Sequence, residues 1–188
     1  MRGPLHRDRT GADDIGMSLS TTKLHPLFAA LVEGIDIARG FSDAEFAELR
    51  AAFEEHSVIV LRGQNLDDAQ QIAFSERFGP LEMMLPHAGN NLNPSHISRM
   101  YNSETDGAII PPEDRRMIYL KANRIWHTDS SFKETPSLCS LLYAYEVPPE
   151  GGETEFASMR AAYDALDADT KTLIEDKVAL HHAARTRD

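Results

Sequence analysis

His127 and Asp129, on either side of Thr128, are the residues of this chain whose types and spacing could do chemistry. Side chains alternate across a β-strand, so residues two positions apart point to the same face. An imidazole nitrogen and a carboxylate oxygen on one strand would therefore converge on one point. A metal held by two histidines and one carboxylate keeps open coordination positions, as non-haem Fe(II) requires to bind oxygen. The spacing predicts two of three ligands, with the third elsewhere.

The alternative explanation for His127 and Asp129 is a surface strand with two polar residues on its solvent face. His181 and His182 could supply the third ligand, but adjacent residues diverge on a strand or a helix, so at most one could serve. We interpret both as structural or solvent-facing. Four further histidines have no partner at ligand spacing and are interpreted in the same way: His25, His56, His87 and His96.

Composition describes an ordinary globular chain with a strong negative charge. The 188 residues suit one domain, and 41% hydrophobic and 26% charged residues are usual for that class. A net charge of −11 argues against nucleic acid or an acidic membrane as a partner. No apolar run could cross a bilayer. The single cysteine, Cys139, excludes an internal disulfide framework and favours the cytoplasm; its apolar neighbours predict a buried, unreactive side chain.

The first third of the ordered chain is predicted to be helix, strand, helix. Residues 1–17 lack periodicity, which predicts a disordered extension before a single domain over 18–188. Ser42 and Glu45 form a capping box, and Asp67 with Gln70 opens a second helix. The β-branched run 57–62 between them predicts a strand buried on both faces.

The remainder is predicted to be mainly strands and loops. Residues 85–112 are rich in Asn, Pro, Ser and Gly, which indicates a long loop, either functional or disordered, with one strand-like interval at 97–101. A long apolar strand is predicted over 137–147. A tight Gly151-Gly152 turn then leads into a strand over 153–156. Ser158 and Asp167 are predicted to cap two short helices, 159–166 and 168–177.

Three motifs in this order resemble the taurine/2,4-dichlorophenoxyacetate dioxygenase family. They are Trp126-His-Thr-Asp129, Pro148-Pro-Glu-Gly-Gly-Glu-Thr-Glu-Phe156 and Met159-Arg-Ala-Ala-Tyr-Asp-Ala-Leu166. The resemblance begins at Leu24-His-Pro-Leu-Phe28 and covers nearly everything after Met17. It implies an Fe(II)- and 2-oxoglutarate-dependent oxygenase with a mainly β fold and flanking helices. That fold is a double-stranded β-helix (jelly roll), here expected to be incomplete on its C-terminal side.

The same resemblance assigns roles to individual residues. His127 and Asp129 would be the first two iron ligands, and the Thr154 hydroxyl would bind 2-oxoglutarate. Asn123 would line the substrate pocket. Trp126 matches a tryptophan beside the metal strand, where core packing is the favoured role. The family also uses a distal histidine and a downstream arginine, which are expected beyond residue 188, so the chain is expected to be an N-terminal portion that is inactive by itself.

The implied reaction hydroxylates a small, anionic organic substrate with dioxygen as co-substrate. A basic cluster would attract that anion, or else form surface salt bridges; its members are Arg115, Arg116, Lys121 and Arg124. Exposed strand edges of an incomplete barrel also make a homo-oligomer an expectation. Two competing functions are a non-catalytic jelly-roll binding module and a zinc hydrolase using the same His–Asp pair.

Overall fold

The computed structural model describes residues 18–83, 95–122 and 124–181. The chain divides into two compact units, with the boundary after Gln64. We call residues 18–64 unit 1 and the described residues from 65 onward unit 2. The predicted extension, residues 1–17, lies outside the described residues. The prediction of a single domain over 18–188 stays a prediction.

Unit 1 is built around a three-stranded sheet. Strand β1 (Ser20–Lys23) pairs antiparallel with β2 (Ala30–Glu33), and Ser20 lies opposite Glu33. Strand β2 pairs parallel with β3 (Ile59–Val60), with Ala30 opposite Ile59. Parallel neighbours need a crossover connection. Here it contains a 3-10 helix (Ile37–Arg39) and helix α1 (Asp43–His56), and β2 is the central strand.

Helix α1 begins and ends as local sequence chemistry requires. The Ser42 hydroxyl accepts from the Glu45 amide at 3.2 Å, and the Glu45 carboxylate accepts from the Ser42 amide at 2.7 Å. The predicted capping box is therefore confirmed. Leu49 is fully buried on the inner face of the helix. The helix ends at His56, and Ser57 follows with φ +65°.

The core of unit 1 lies among the sheet, the 3-10 helix and α1. Its buried apolar residues are Ala30, Val32, Ile35, Ile37 and Leu49. Strand β3 contains only two of the six residues predicted over 57–62, and both are half-buried. That prediction was wrong in length and burial, because β3 pairs with β2 alone among the described strands.

Unit 2 contains four helices in its described residues. They are α2 (Asp68–Glu76), α3 (Arg115–Ala122), α4 (Met159–Asp164) and α5 (Ala168–Ile174). Asp67 and Gln70 form a reciprocal capping box at α2, and Ser158 and Asp167 cap α4 and α5. These caps confirm the predicted helix starts, whereas α3 was not predicted. None of the helices in the described ranges is long and apolar enough to span a membrane.

The strands predicted for unit 2 are not formed among its described residues. Residues 97–101, 137–147 and 153–156 join no ladder, and the described part of unit 2 contains only isolated bridge residues, such as Ser103 opposite Ile109. A segment can suit a strand and still need a partner to become one. The described chain is thus a mixture of helix and sheet, where a mainly β fold was predicted. The jelly roll stays a prediction.

Candidate metal centre

His127 is held in one tautomer by the backbone beside it. Its Nδ1 lies 2.7 Å from the carbonyl oxygen of Ile125. A carbonyl oxygen can only accept a hydrogen bond, so Nδ1 must carry the proton and donate. In the neutral ring the lone pair is then on Nε2. Histidines that bind metals usually direct their second nitrogen to a carbonyl or carboxylate in this way.

Asp129 presents one carboxylate oxygen to that lone pair. Its Oδ1 lies 3.3 Å from Nε2 of His127. Its other oxygen, Oδ2, accepts a hydrogen bond of 2.7 Å from the Ser140 hydroxyl, which restrains the rotation of the carboxylate. The side chains of His127 and Asp129 are 50% and 60% exposed, so an ion could reach both from solvent.

The separation of these two atoms fits a shared metal ion. Ligand atoms about 2.1 Å from a metal in adjacent octahedral positions are about 3.0 Å apart. The observed 3.3 Å between Nε2 and Oδ1 is close to that value. An imidazole and a carboxylate are also donors that Fe(II) accepts. The same distance would suit an ion pair with a protonated imidazole, which is the alternative explanation.

The pair converges by a turn and not by the alternation of a strand. Residues 126–128 belong to no strand, and Asp129 begins a turn in which the Lys133 amide donates to the Ser130 carbonyl at 2.9 Å. Ser130 has φ +57°, in the left-handed region. The predicted reason for the convergence of His127 and Asp129 was therefore wrong, because no second strand pairs with this segment in the described residues.

Glu82 forms a hydrogen-bonded cluster with the residues that follow Asp129. Its Oε2 accepts from the hydroxyls of Ser130 and Ser137, each at 2.7 Å, and its Oε1 accepts from the Lys133 ammonium. We call these four residues the Glu82 cluster. These three donors favour the ionised carboxylate and lower the pKa of Glu82 to about 2, and Lys133 has the largest effect.

Thr154 lies exposed after the glycine turn. Gly151 and Gly152 have φ of +78° and +75°, and a Cβ on Gly152 would lie 3.2 Å from Cγ of Pro148. Both glycines therefore have the backbone that a tight turn would use, but the described backbone bends at 149–150 and forms no hydrogen-bonded turn at 151–152, so the tight turn stays a prediction. The strand predicted after it is not formed, and the Thr154 hydroxyl has no hydrogen bond to another described residue. Its role in binding 2-oxoglutarate stays a prediction.

Two other residues of the motif run gave different outcomes. Asn123, predicted to line the substrate pocket, lies outside the described residues. Trp126 was predicted to pack in the core, but its side chain is 66% exposed. Since no described element covers Trp126, that prediction was wrong for this structure.

A third metal ligand is not found near the pair within the described ranges. No group of three or more His, Cys, Asp or Glu side chains there could hold a metal. His181 is exposed, and its neighbour His182 lies outside the described residues. His96 bonds through Nδ1 to the carbonyl of Glu82 at 3.1 Å. The described chain thus supplies an imidazole and a carboxylate.

Two members of the predicted basic cluster have local partners. Arg116 binds Asp114 at 2.9 Å and Glu104 at 2.7 Å, and the hydrogen bonds from the Arg116 side chain and amide lower the pKa of Asp114 to about 2. The Lys121 ammonium donates to the carbonyl of Pro112 at 2.8 Å. For Arg116 the surface salt bridge was therefore the correct alternative.

Sequence reasoning missed the residues that surround the metal pair. Ser140, Ser130 and Glu82 were not singled out. Ser140 did carry a weak signal, because a hydroxyl interrupts an apolar run that was predicted to be a strand. Glu82 is 48 residues from Ser130, and no local pattern could have related them.

A family model described as "Taurine catabolism dioxygenase TauD, TfdA family" matches residues 20–188. The alpha-ketoglutarate-dependent 2,4-dichlorophenoxyacetate dioxygenase of Cupriavidus pinatubonensis is 40% identical over 174 residues, covering 91% of this chain and 61% of that protein. The (S)-phenoxypropionate/alpha-ketoglutarate-dioxygenase of Sphingobium herbicidovorans is 40% identical over 158 residues, covering 84% of this chain and 51% of that protein.

A solved structure gives the same relationship in three dimensions. The crystal structure of AAD-2 in complex with Mn(II) and N-oxalylglycine matches with a TM-score of 0.72 and 38% identity, covering 85% of this chain and 54% of that one. This chain spans about half to three fifths of the length of these proteins. With a family model matched over nearly all of its length, the chain belongs to the TauD/TfdA family.

Proposed function

We propose that this chain contributes the first two iron ligands of an Fe(II)- and 2-oxoglutarate-dependent dioxygenase. In the proposed reaction, a substrate C–H bond becomes C–OH while 2-oxoglutarate and dioxygen yield succinate and CO2. The observation that carries the proposal is the 3.3 Å approach of His127 Nε2 to Asp129 Oδ1, with both groups oriented by further hydrogen bonds. Membership of the family and the reactions in the names of the relatives support it.

The roles of the residues follow from their surroundings. Bound iron would supply the activation of dioxygen, with 2-oxoglutarate as the source of electrons. The Ile125 carbonyl keeps the Nε2 lone pair of His127 free, and Ser140 holds the Asp129 carboxylate toward it. The Thr154 hydroxyl would donate to the distal carboxylate of 2-oxoglutarate, a bond of about 1.5–3 kcal/mol. A complete ligand set needs a histidine from outside the described residues.

We propose a small anionic organic molecule as the substrate, with Asn123 lining its pocket. The relatives are named for phenoxyacetate and phenoxypropionate carboxylates, and a third, from Pseudomonas putida and 30% identical, is named a sulfate ester dioxygenase. Arg124 is exposed, three residues before His127, and has no ion pair with a described residue. It is the basic side chain that we expect to attract the anion.

Metal titration of the purified chain tests the site directly. Anaerobic titration with Co(II), monitored by the absorption of the bound ion, should show one weak site. His127→Ala and Asp129→Ala should each weaken it at least tenfold, because each removes one of two described ligands. His181→Ala is the matched control, since it removes an exposed histidine outside the pair. Equal affinity in His127→Ala and the unsubstituted chain would contradict the proposal.

Turnover tests the reaction class. With two ligands supplied, the chain should form little or no succinate from 2-oxoglutarate. Iron-dependent succinate formation would show that a third ligand is present, for example from a second copy of the chain. It would also separate a dioxygenase from a zinc hydrolase or a binding module.

The proposed location is the cytoplasm, which the single cysteine supports.

A further inference from the structure

Ser130, the residue directly after Asp129, has a strained backbone. Its φ of +57° lies in the left-handed region, which only two other non-glycine residues adopt in the described chain. That conformation costs a side-chain-bearing residue about 1–2 kcal/mol. It persists only where the surrounding structure holds it. The residue beside the proposed carboxylate ligand is therefore maintained by contacts made elsewhere.

Glu82 makes the contact that holds Ser130 through its side chain. The Ser130 hydroxyl donates to Oε2 of Glu82 at 2.7 Å. The same carboxylate binds the Lys133 ammonium, so it joins both ends of the turn that Ser130 and Lys133 close. The Glu82 side chain is only 27% exposed, so water replaces these partners poorly when they are lost.

The conformation of Ser130 decides where the chain leaves Asp129. A change of φ at Ser130 would redirect the backbone after Asp129 and alter the approach of its carboxylate to His127. Glu82 has no hydrogen bond or ion pair to Asp129 or His127 among the described contacts. We propose that Glu82 is a positioning residue for the His127–Asp129 metal pair, and that it acts through the left-handed Ser130. This inference rests on the proposed function.

Two substitutions of Ser130 separate the hydroxyl from the strain. Ser130→Ala removes the bond to Glu82 and keeps the penalty for a left-handed φ, so the turn should relax and Co(II) affinity should fall about tenfold. Ser130→Gly removes the same bond but also the penalty. Glycine should keep the turn without help from Glu82, with a loss of less than about threefold. If the hydroxyl acted through packing alone, Ser130→Gly would lose at least as much Co(II) affinity as Ser130→Ala.

Glu82→Gln completes the comparison, because it keeps the size of the side chain and removes its charge. It should weaken Co(II) binding about tenfold with serine at position 130, and less than about threefold with glycine there. A general effect on stability would be the same in both backgrounds. Glu104→Gln is the control: it breaks an exposed ion pair with Arg116 in the same unit and should leave the affinity unchanged.

Hydrogen exchange gives a readout that needs no metal. The Lys133 amide, bonded to the Ser130 carbonyl, should exchange about tenfold faster in Glu82→Gln and Ser130→Ala but not in Ser130→Gly. If Glu82→Gln fails to fold, the comparison of Ser130→Ala with Ser130→Gly still decides. Equal affinity of Ser130→Ala and the unsubstituted chain would overturn the positioning role alone. Absence of Co(II) binding in the unsubstituted chain would contradict the proposed function itself, and with it this inference.

Discussion

The two units of this chain are held together in different ways. Unit 1 combines a paired sheet with a buried apolar core that includes Ala30, Val32 and Leu49. Unit 2 has the larger share of the described residues, yet its buried apolar residues are Leu66, Phe74 and Ile110. Backbone ladders and apolar burial make unit 1 the more self-sufficient of the two, since these are the main sources of stability in small domains.

Unit 2 relies more on charged clusters between distant segments. The Asp68 carboxylate accepts hydrogen bonds from Tyr145 at 2.8 Å and from Arg99 at 2.5 Å. Both bonds lower the pKa of Asp68, and the bond from Tyr145 has the larger effect. Exposed ion pairs of this kind contribute little each. Apolar residues in the same unit stay exposed, and Leu142 is 63% exposed. The segment predicted as a long strand therefore adds little burial of its own.

The largest effect is expected in the core of unit 1. Leu49→Ala should lower the free energy of unfolding of unit 1 by about 2–5 kcal/mol, because it leaves a cavity at a fully buried position. The matched variant Leu142→Ala in unit 2 should change the free energy by less than about 0.5 kcal/mol. Native-state hydrogen exchange measures each unit separately. Similar effects of the two substitutions would remove the contrast between the units.

An intermediate effect is expected from acid on unit 2. The pKa of Glu82 is lowered to about 2, so its ionised form stabilises the fold; that contribution is complete above about pH 4.5 and is lost as the pH falls toward 2. Its side chain is partly exposed, so we expect about 1–2 kcal/mol. Hydrogen exchange of unit 2 against pH, with Glu82→Gln as the comparison, measures it.

Glu82→Gln should lack this part of the acid dependence, whereas the exchange of unit 1 should be unaffected by the substitution. The same acid profile in the variant and the unsubstituted chain would show that the Glu82 cluster does not stabilise unit 2. Other carboxylates of unit 2, including Asp114, also have lowered pKa values, so the difference between the two profiles is the quantity to compare.

The smallest effects are expected at the helix caps. Ser42→Ala should destabilise unit 1 by about 1 kcal/mol, since it removes the capping box of a fourteen-residue helix whose Leu49 is in the core. Ser158→Ala should cost unit 2 about 0.5 kcal/mol or less, because α4 has six residues and buries none of them. Denaturant unfolding followed by circular dichroism measures the free energy of unfolding of each variant. Ser103→Ala is the reference variant.

Helix starts were predictable because their chemistry is local. Ser42 with Glu45, and Asp67 with Gln70, satisfy backbone amides within one turn, so three or four residues contain the whole interaction. The positive φ of Gly151 and Gly152 is local for the same reason, since it depends only on the absence of a side chain. Helix α3 (Arg115–Ala122) was missed, although Asp114 directly before it accepts from the Arg116 amide at 2.8 Å, as an N-cap residue does.

Strands were less predictable because a ladder needs two segments. The run 57–62 has a β-branched centre at 58–60, but only Ile59 and Val60 pair, and among the described strands they pair with β2 alone. Residues 137–147 have the composition of a strand and no partner among the described residues. The composition of a segment indicates that it suits a sheet, but whether it pairs depends on the rest of the fold.

The sequence by itself determined the helix caps and the residue types of the candidate metal site: an imidazole and a carboxylate two positions apart. Only the tertiary structure decided how they converge, through a left-handed Ser130 and a hydroxyl from Ser140. The physical reason is range. Helix caps close within a few residues, whereas the turn after Asp129 is bonded through Ser130 to Glu82, which is close in space and 48 residues away in sequence.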